Sequence, residues 1–332
     1  GTGLMANAND TDVSGVAPEG GNPSPAAIEL RNISKSFGPV RANHNVSMTV
    51  EAGAIHGIVG ENGAGKSTLM SILYGFYEAD AGQIFIRGEP VKILSSNDAI
   101  ASGIGMVHQH FMLVDTFTVL ENVMMGAESG ALLKESIDKA RGELERLENE
   151  YGLQVDPDSL AEELPVGELQ RVEILKALYR GARILILDEP TGVLTPQETD
   201  QLFRIFQALK EQGTTVILIT HKLREIMAIT DTVSVMRHGE MVAHRKTSET
   251  SKEELAELMV GRKIRADLEK KPCQPGAAAL VVEGLTVRDA YDVAKVDDVS
   301  FEVRKGEIVG IAGVSGNGQS ELLDALSGIQ RI

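Results

Sequence analysis

A nine-residue stretch early in the chain combines three glycines with a lysine and two hydroxyl side chains. Residues Gly60 to Thr68 read Gly-Glu-Asn-Gly-Ala-Gly-Lys-Ser-Thr, which fits the pattern G-x-x-x-x-G-K-[ST]. Small residues let successive backbone N–H groups close around a phosphate, while Lys66 can reach the β- and γ-oxygens and Ser67 can offer its hydroxyl to Mg²⁺. The stretch therefore predicts a phosphate-binding loop.

The segments on either side of this loop are those that a phosphate site needs. Residues 54–59 form a short apolar run typical of a buried strand, and residues 68–74 carry apolar side chains at helical spacing. The loop is thus predicted to lie at a strand-to-helix turn, where the helix N-terminus favours an anion. The alternative is a chance match in a chain with 34 glycines, which the flanking segments disfavour.

Two carboxylates close a second apolar run. Residues 184–187 read Ile-Leu-Ile-Leu and lead into Asp188 and Glu189. Such a run is typical of a strand buried on both faces, and its C-terminal end lies where open α/β sheets bind ligands. Beside a phosphate loop, Asp188 can hold Mg²⁺ and Glu189 can orient and deprotonate an attacking water. The alternative is a helix-capping pair that follows a core strand.

Three further features leave two interpretations each. A third apolar run, residues 214–220, ends at His221, which could contact a γ-phosphate or be a surface imidazole. Phe37, on a loop between two early strands, could stack on adenine or pack beneath the sheet. His108 and His110 flank Gln109, but a zinc site usually needs three or four ligands, so a metal pair is disfavoured.

The composition limits the classes of protein that remain. The chain has 332 residues, 42% of them hydrophobic, and a formal net charge of −16 from 48 acidic and 32 basic side chains. Two domains or so are expected, and a nucleic-acid-binding surface over the whole protein is disfavoured. A single cysteine, Cys273, excludes an internal disulfide. No apolar run approaches the roughly 18 to 20 residues that span a bilayer, and no secretory signal begins the sequence.

The chain divides into segments of different composition. Residues 1–27 are rich in Gly, Ala, Asn, Pro and Ser and are predicted to be a disordered tail. Residues 28–264 alternate strand and helix patterns, with a charged helical part at about 100–180. Within that part Lys139/Glu143 and Arg141/Glu145 stand four residues apart, as on a solvated helix face. Residues 265–279 are predicted to be a linker.

After the linker the chain repeats itself at a constant offset. Val46-Ser47 matches Val299-Ser300, and the same offset aligns later glycines (Gly53, Gly60, Gly63, Gly65 and Gly75 with Gly306, Gly313, Gly316, Gly318 and Gly328). This pattern indicates an internal duplication. In the second copy Gln319 replaces Lys66 and Glu321 replaces Thr68, so we expect this loop to hydrolyse nucleotide poorly. Residues 280–332 are expected to be the truncated N-terminal part of a second, degenerate domain in a fragment of a longer protein.

Together these motifs resemble the nucleotide-binding subunits of ABC transporters. The resemblance runs from Ile28 to about Arg265 and rests on five motifs in order: the phosphate loop, Gln109, the helix start Leu-Pro-Val-Gly-Glu-Leu-Gln-Arg at 164–171, Ile-Leu-Ile-Leu-Asp-Glu-Pro, and Thr220-His221. The duplication is similar to that of tandem ATPases of bacterial sugar and nucleoside importers. Residues 106–114 and 193–197 are most similar to the nucleoside branch. The fold implied is an α/β P-loop NTPase of ABC type, with an antiparallel β subdomain, a mixed central sheet and a helical subdomain.

The resemblance implies a role for each matching residue. Gly60, Asn62, Gly63, Ala64, Gly65, Lys66, Ser67 and Thr68 would bind ATP, with Phe37 stacked on adenine and Asp188 nearby. Ser67, Gln109 and Asp188 would surround Mg²⁺. Glu189 would be the general base, His221 the γ-phosphate switch, and Gln109 the γ-phosphate sensor that links to a membrane subunit.

The helix start at 164–171 departs from the usual Leu-Ser-Gly-Gly-Gln signature of the family. Pro165 replaces the serine, Val166 replaces the first glycine, and Glu168-Leu169 replaces two glutamines. By the resemblance, this signature would face the weakened second loop. The expectation is one impaired site, made of Pro165–Gly167 with Gly313–Ser320, and one competent site whose signature lies outside this sequence.

The function implied is an ATPase subunit that drives solute import, of a nucleoside or simple sugar. Its expected partners are transmembrane permease subunits, a second ABC domain and, indirectly, a solute-binding protein, but no nucleic acid. The expected location is the cytoplasmic face of the cell membrane, as a peripheral subunit. The alternatives are a non-transport ABC ATPase that acts on ribosomes or nucleic acid, which the acidic charge disfavours, and a regulatory nucleotide-binding module without turnover.

Overall fold

The computed structural model describes residues 26–125, 133–263, 274–289, 291–313 and 316–330. The chain divides between residues 264 and 265 into two compact units. The predicted tail 1–27 lies outside the described residues except for Ala26 and Ala27. Ala27 is buried and its N–H donates to the Val50 carbonyl at 2.8 Å, so Ala27 already belongs to the packed core of the first unit.

Strands and helices alternate through the first unit. Its strands are β1 (Ile28–Phe37), β2 (Val40–Val50), β3 (Ile55–Val59), β4 (Ala81–Ile86), β5 (Glu89–Val91), β6 (Ile104–Val107), β7 (Ile184–Asp188), β8 (Thr215–Ile219), β9 (Thr232–Arg237) and β10 (Glu240–Lys246). Its helices are α1 (Lys66–Leu73), α2 (Ser96–Ala101), α3 (Val119–Met124), α4 (Leu133–Tyr151), α5 (Val166–Tyr179), α6 (Pro196–Glu211), α7 (Leu223–Ile229) and α8 (Lys252–Val260).

Two sheets organise this unit. An antiparallel sheet has the order β2-β1-β4-β5, and a six-stranded mixed sheet has the order β10-β9-β3-β8-β7-β6. In the mixed sheet the strands from β9 to β6 run parallel, and only β10 pairs antiparallel with its neighbour. Parallel strands present their carboxyl ends at one edge, so the segments after β3, β6, β7 and β8 emerge together. The predicted fold class is confirmed.

The central strands are buried because both faces of the mixed sheet are covered. Along β7, Leu185 and Leu187 pack into one hydrophobic cluster while Ile184 and Ile186 pack into another. This alternation is the two-residue period of a strand. It explains why β7 is an unbroken apolar run, and it fixes the register that brings Asp188 to the carboxyl edge.

The helical part of the first unit contains α3, α4 and α5. One face of α4 is buried through Ala140, Leu144, Leu147 and Tyr151. The ion pairs of α4 are formed by Arg141, which pairs with Asp158 at 2.7 Å, and by Arg146, which pairs with both Glu143 and Glu150. These pairs are exposed and contribute little to stability. Arg141 reaches a loop residue because the chain after α4 folds back along the helix.

The second unit begins as the first one does. Strands β11 (Ala278–Arg288) and β12 (Ala294–Arg304) pair antiparallel, and helix α9 (Gln319–Leu326) follows. Residues 278 and 279 of the predicted linker are already in β11, and residues 264–273 lie outside the described structure. Residues 307–313, which align with β3, form no strand, and Ile308 is 93% exposed.

Candidate nucleotide site

A cleft of about 420 Å³ opens at the carboxyl edge of the mixed sheet. Its walls contain the phosphate loop from Asn62 to Thr68, Gln109, Asp188 and Glu189, together with the segment from Val40 to Ala42 and Phe37. The structure thus brings together residues that lie up to 152 positions apart in the sequence. The predicted positions missing from this lining are Gly60, which begins the loop, and His221, which contacts Glu189.

The loop has a backbone conformation that requires glycine. Gly63 and Gly65 have φ angles of 82° and 97°, in the left-handed region. A side chain on Gly65 would also collide with the carbonyl of Ala42. The Ala64 carbonyl accepts the N–H of Gly239 at 3.0 Å, which ties the loop to the turn between β9 and β10. The loop is therefore held from two sides before any ligand binds.

Lys66, the first residue of α1, is almost completely buried. Its Nζ donates to the Gly60 carbonyl at 2.6 Å and to the Glu61 carbonyl at 3.1 Å. Burial lowers the pKa of Lys66, although the charges of Glu189 and Asp188 oppose the shift. The ammonium group thus binds two carbonyls of its own loop, and it would have to leave them to contact a phosphate.

Asp188 lies next to the loop, and both it and Ser67 line the cleft. Burial raises the pKa of Asp188 and the neighbouring Glu189 adds to this, while the Ser67 hydroxyl and Lys66 lower it. A hydroxyl and one or two carboxylates suit Mg²⁺, which keeps several waters and phosphate oxygens as its other ligands. No group of three or more His, Cys, Asp or Glu able to hold a metal occurs among the described residues. With one hydroxyl and one or two carboxylates, the residues that line the cleft fit Mg²⁺ that takes water and phosphate oxygens as its other ligands.

Glu189 and His221 are joined directly. The Glu189 Oε1 lies 2.8 Å from the His221 Nδ1, and its Oε2 accepts the Thr220 hydroxyl at 3.3 Å. The pairing of β7 with β8 places Asp188 opposite Ile219, and the Glu189 N–H donates to the Ile219 carbonyl at 2.9 Å. Glu189 has a φ of 48°, unusual for a residue with a side chain. This backbone turn aims a carboxylate that is only 14% exposed at His221.

Phe37 and Gln109 lie at the rim of the cleft. Phe37 is the last residue of β1 rather than a loop residue, is 42% exposed, and meets Tyr77 edge to face at 5.0 Å. Its exposure argues against packing beneath the sheet. Gln109 is exposed in the segment after β6. The adjacent His108 faces the rings of Tyr74 and Phe76, so it packs as an aromatic side chain.

The helix with the altered signature motif, α5, begins at Val166. Pro165 is its N-cap and has no side-chain oxygen that could accept a backbone N–H, so nothing replaces the hydroxyl of the usual serine. Gln170 is buried and donates from Nε2 to the Pro190 carbonyl at 2.7 Å. The motif thus supports the segment that follows Glu189.

A polar cluster that the sequence interpretation missed joins the segments after β7 and β8. Lys222 donates to the carbonyl of Thr191 at 3.0 Å, and the Thr191 hydroxyl donates to Glu225 at 2.7 Å. The cluster holds the chain beyond Glu189 against the chain beyond His221. No signal in a single sequence marks these residues, because their contact depends on the pairing of β7 with β8.

A glycine-rich loop between a buried strand and a helix, with a carboxylate pair at the end of another strand of the same parallel sheet, defines a P-loop nucleotide-binding domain. Residues 43–192 match the ABC transporter family. This segment, which contains the loop, Gln109 and the Asp188–Glu189 pair, belongs to the ABC transporter family.

Relatives extend the match along most of the chain. Guanosine import ATP-binding protein NupO of Bacillus subtilis (strain 168) is 50% identical over 304 residues, which are 92% of this chain and 60% of NupO. Nucleoside import ATP-binding protein NupA of Lactococcus lactis subsp. cremoris (strain MG1363) is 45% identical over 305 residues, with the same two coverages. The chain therefore spans about 60% of the length of these relatives.

A solved structure supports the fold. The crystal structure of the ADP conformation of MJ1267, an ATP-binding cassette of an ABC transporter, superposes with a TM-score of 0.63 at 26% identity. The superposition covers 71% of this chain and 99% of that one. One whole cassette of this type thus corresponds to the larger part of the chain.

Proposed function

We propose that this chain binds and hydrolyses ATP with Mg²⁺ and powers the import of a nucleoside or simple sugar through separate membrane permease subunits. The observation that carries the proposal is the cleft in which Lys66, Asp188 and Glu189 converge. His221 is hydrogen-bonded to Glu189 at this cleft. Each of these groups matches a step that phosphoryl transfer to water requires.

The loop and its neighbours provide the binding part of the proposal. Backbone N–H groups from Gly60 to Gly65 hold phosphate oxygens, Lys66 leaves its two carbonyl partners for the β- and γ-oxygens, and Thr68 adds a hydroxyl. Ser67 and Asp188, with Gln109 at the rim, are the residues that would hold Mg²⁺, which supplies charge neutralisation on the phosphates. Phe37, whose ring is partly exposed beside Lys35 and Tyr77, is the aromatic side chain available to the adenine base.

Hydrolysis needs a base and a group that holds the base in position. Glu189 is the base in this proposal, because its carboxylate is largely shielded from solvent and can accept a proton from water. The Nδ1 of His221 donates to Glu189, and its Nε2 donates to a γ-phosphate oxygen in the imidazolium form of the ring, which carries a proton on both nitrogens. Thr220 supports the same carboxylate from the other side.

The proposed partners follow from the relatives. Both are named as import ATP-binding proteins, for guanosine and for nucleosides. We accordingly propose permease subunits and a second ABC domain as direct partners, a solute-binding protein as an indirect one, and the cytoplasmic membrane face as the location. No helix among the described residues is long and apolar enough to cross a membrane. A role on ribosomes or nucleic acid has no support from these relatives.

The binding part is tested by titration calorimetry with MgATP on the wild-type chain and on Lys66→Ala. We expect saturable binding by the wild type and at least a tenfold weaker affinity for the variant, since a buried charge-assisted contact to phosphate is lost. Lys263→Ala, on an exposed residue away from the cleft, is the matched control. Equal binding by wild type and Lys66→Ala would refute the site.

The transport part needs a different assay. The chain is co-expressed with permease subunits of a nucleoside importer and purified in detergent. We expect the subunits to purify together and MgATP turnover to rise when they are present. Purification of the chain alone, with turnover unaffected by the permease, would contradict the proposed partner without contradicting the nucleotide site.

A further inference from the structure

Asn43 is a fully buried polar residue next to the phosphate loop. It lies on β2 and its Nδ2 donates to the carbonyl of Gly65 at 3.1 Å. The same carbonyl also accepts the N–H of Leu69 at 3.0 Å, in the first turn of α1. The Gly65 carbonyl would therefore keep a partner without Asn43, so the loop does not need this side chain to satisfy its backbone.

The other end of the Asn43 amide has no partner among the described residues. Its Oδ1 is buried and accepts no hydrogen bond. The amide cannot be rotated to exchange the two atoms, because Oδ1 would then face the Gly65 carbonyl oxygen. A buried acceptor without a partner destabilises the fold, because it has lost its hydrogen bonds to water and gained none in return. An asparagine at this buried position thus stabilises the fold less than an apolar residue of similar size would.

The second copy of the phosphate loop shows which residue can occupy this position when the loop lacks its lysine. Val296 takes the position of Asn43, and Gly318 takes that of Gly65. The φ angle is 89° at Gly318 and 97° at Gly65, and each glycine lies against a carbonyl of the preceding strand. The turn therefore forms with an apolar residue at this position. The copy with Asn43 is also the copy that keeps Lys66.

The bond to Gly65 has a directional consequence. Because the peptide between Gly65 and Lys66 is planar and trans, its C=O and N–H point in opposite directions. The Leu69 N–H holds this carbonyl from the helix and the Asn43 amide holds it from β2, so the second bond narrows the range of orientations open to the Lys66 N–H. A donor fixed in advance binds an anion without the entropy loss of ordering it.

We propose that Asn43 is a positioning residue that holds the Gly65–Lys66 peptide in the orientation that binds phosphate, at a cost in stability. This inference rests on the proposed nucleotide binding and deepens it. It predicts a separation of effects: removal of the amide weakens phosphate binding and does not weaken the fold.

The test uses Asn43→Val, which introduces the residue of the second copy. We expect the dissociation constant for MgATP to rise roughly fivefold, as for the loss of one hydrogen bond. Inorganic triphosphate with Mg²⁺ should weaken by a similar factor. The thermal midpoint without nucleotide should stay the same or rise. Thr49→Val, on an exposed residue of the same strand, is the matched control and should change neither affinity.

Two further measurements separate this inference from the proposed function. Amide hydrogen exchange without nucleotide should be faster at residues 63–66 in Asn43→Val than in wild type. Asn43→Ala, which removes the amide without adding bulk, should show the same weakening of MgATP binding even if its cavity lowers the midpoint. Failure of the wild type to bind MgATP would refute the proposed function. Unchanged affinity and unchanged exchange in both Asn43 variants would overturn the role of Asn43.

Discussion

His56 makes the stability of the first unit sensitive to acid. It is fully buried on β3, with Nδ1 at 2.7 Å from the Thr232 hydroxyl and Nε2 at 2.9 Å from the Ser234 hydroxyl. Its ring stacks on that of His244, with centroids 5.5 Å apart. Burial, assisted by the charge that His244 can carry, lowers the pKa of His56 from the usual 6.5 to about 3. The folded protein therefore holds His56 neutral.

The sign and size of the effect follow from this pKa. A base whose pKa is depressed by folding contributes stability that is present above the unfolded pKa and is lost as the pH falls towards the folded pKa. The affected window runs from 6.5 down to about 3. One pH unit inside it is worth about 1.4 kcal/mol. Lowering the pH from 7 to 5 should thus remove about 2 kcal/mol of unfolding free energy through His56.

The assay is urea unfolding at pH 7 and pH 5 of the wild type and of His56→Val. Valine is the residue at the equivalent position of the second copy, Val309. His244 and the other titrating groups are present in both proteins, so their contributions largely cancel in the comparison. We expect the wild type to lose about 2 kcal/mol more than the variant between these pH values. Equal losses in the two proteins would refute the burial argument.

Three further predictions test the geometry of the cleft. Gly65→Ala should lower the unfolding free energy more than Gly63→Ala does, because both glycines have a positive φ but only a side chain at position 65 meets the Ala42 carbonyl. Urea unfolding measures the difference. Equal losses in the two variants, each about 1 to 2 kcal/mol, would show that the Ala42 carbonyl does not approach Gly65 closely. Asp188→Asn should raise the thermal midpoint at pH 7 without nucleotide, because a carboxyl with a raised pKa removes stability as the pH rises above its usual pKa of 3.8. The same substitution should abolish the further rise in midpoint that MgATP gives the wild type. A lower midpoint would contradict this. Phe37→Ala should weaken MgATP binding roughly two- to tenfold and leave inorganic triphosphate binding unchanged, and equal weakening of both would exclude adenine stacking.

The sequence predicted the parts of the site that depend on local chemistry. The loop pattern, the apolar strand before it and the carboxylates after β7 each have a spacing that one physical requirement explains. Their convergence was also predictable, because parallel strands place their carboxyl ends together. The division into an antiparallel sheet, a mixed sheet and a helical part came from the family resemblance, and the superposition on a solved cassette supports it.

The contacts that depend on strand order were not predictable. The bond from Glu189 to His221 requires β7 to lie beside β8, and the network of His56 requires β3 to lie beside β9. The partner of Arg141 depends on a loop that folds back along α4. Asn43 gave no signal, because a polar residue on a strand reads as exposed unless the residue facing it is known. Each case is a long-range contact, which a local pattern does not encode.

The central claim is that Glu189 is the base of an ATP-hydrolysing site. The most direct measurement is phosphate release from MgATP by the wild type and by Glu189→Gln, with MgATP affinity determined for both. We expect phosphate release to be lost in Glu189→Gln while its affinity remains, because the amide cannot accept the proton of water but keeps the shape of the carboxylate. Phosphate release by Glu189→Gln at the rate of the wild type would contradict the assignment.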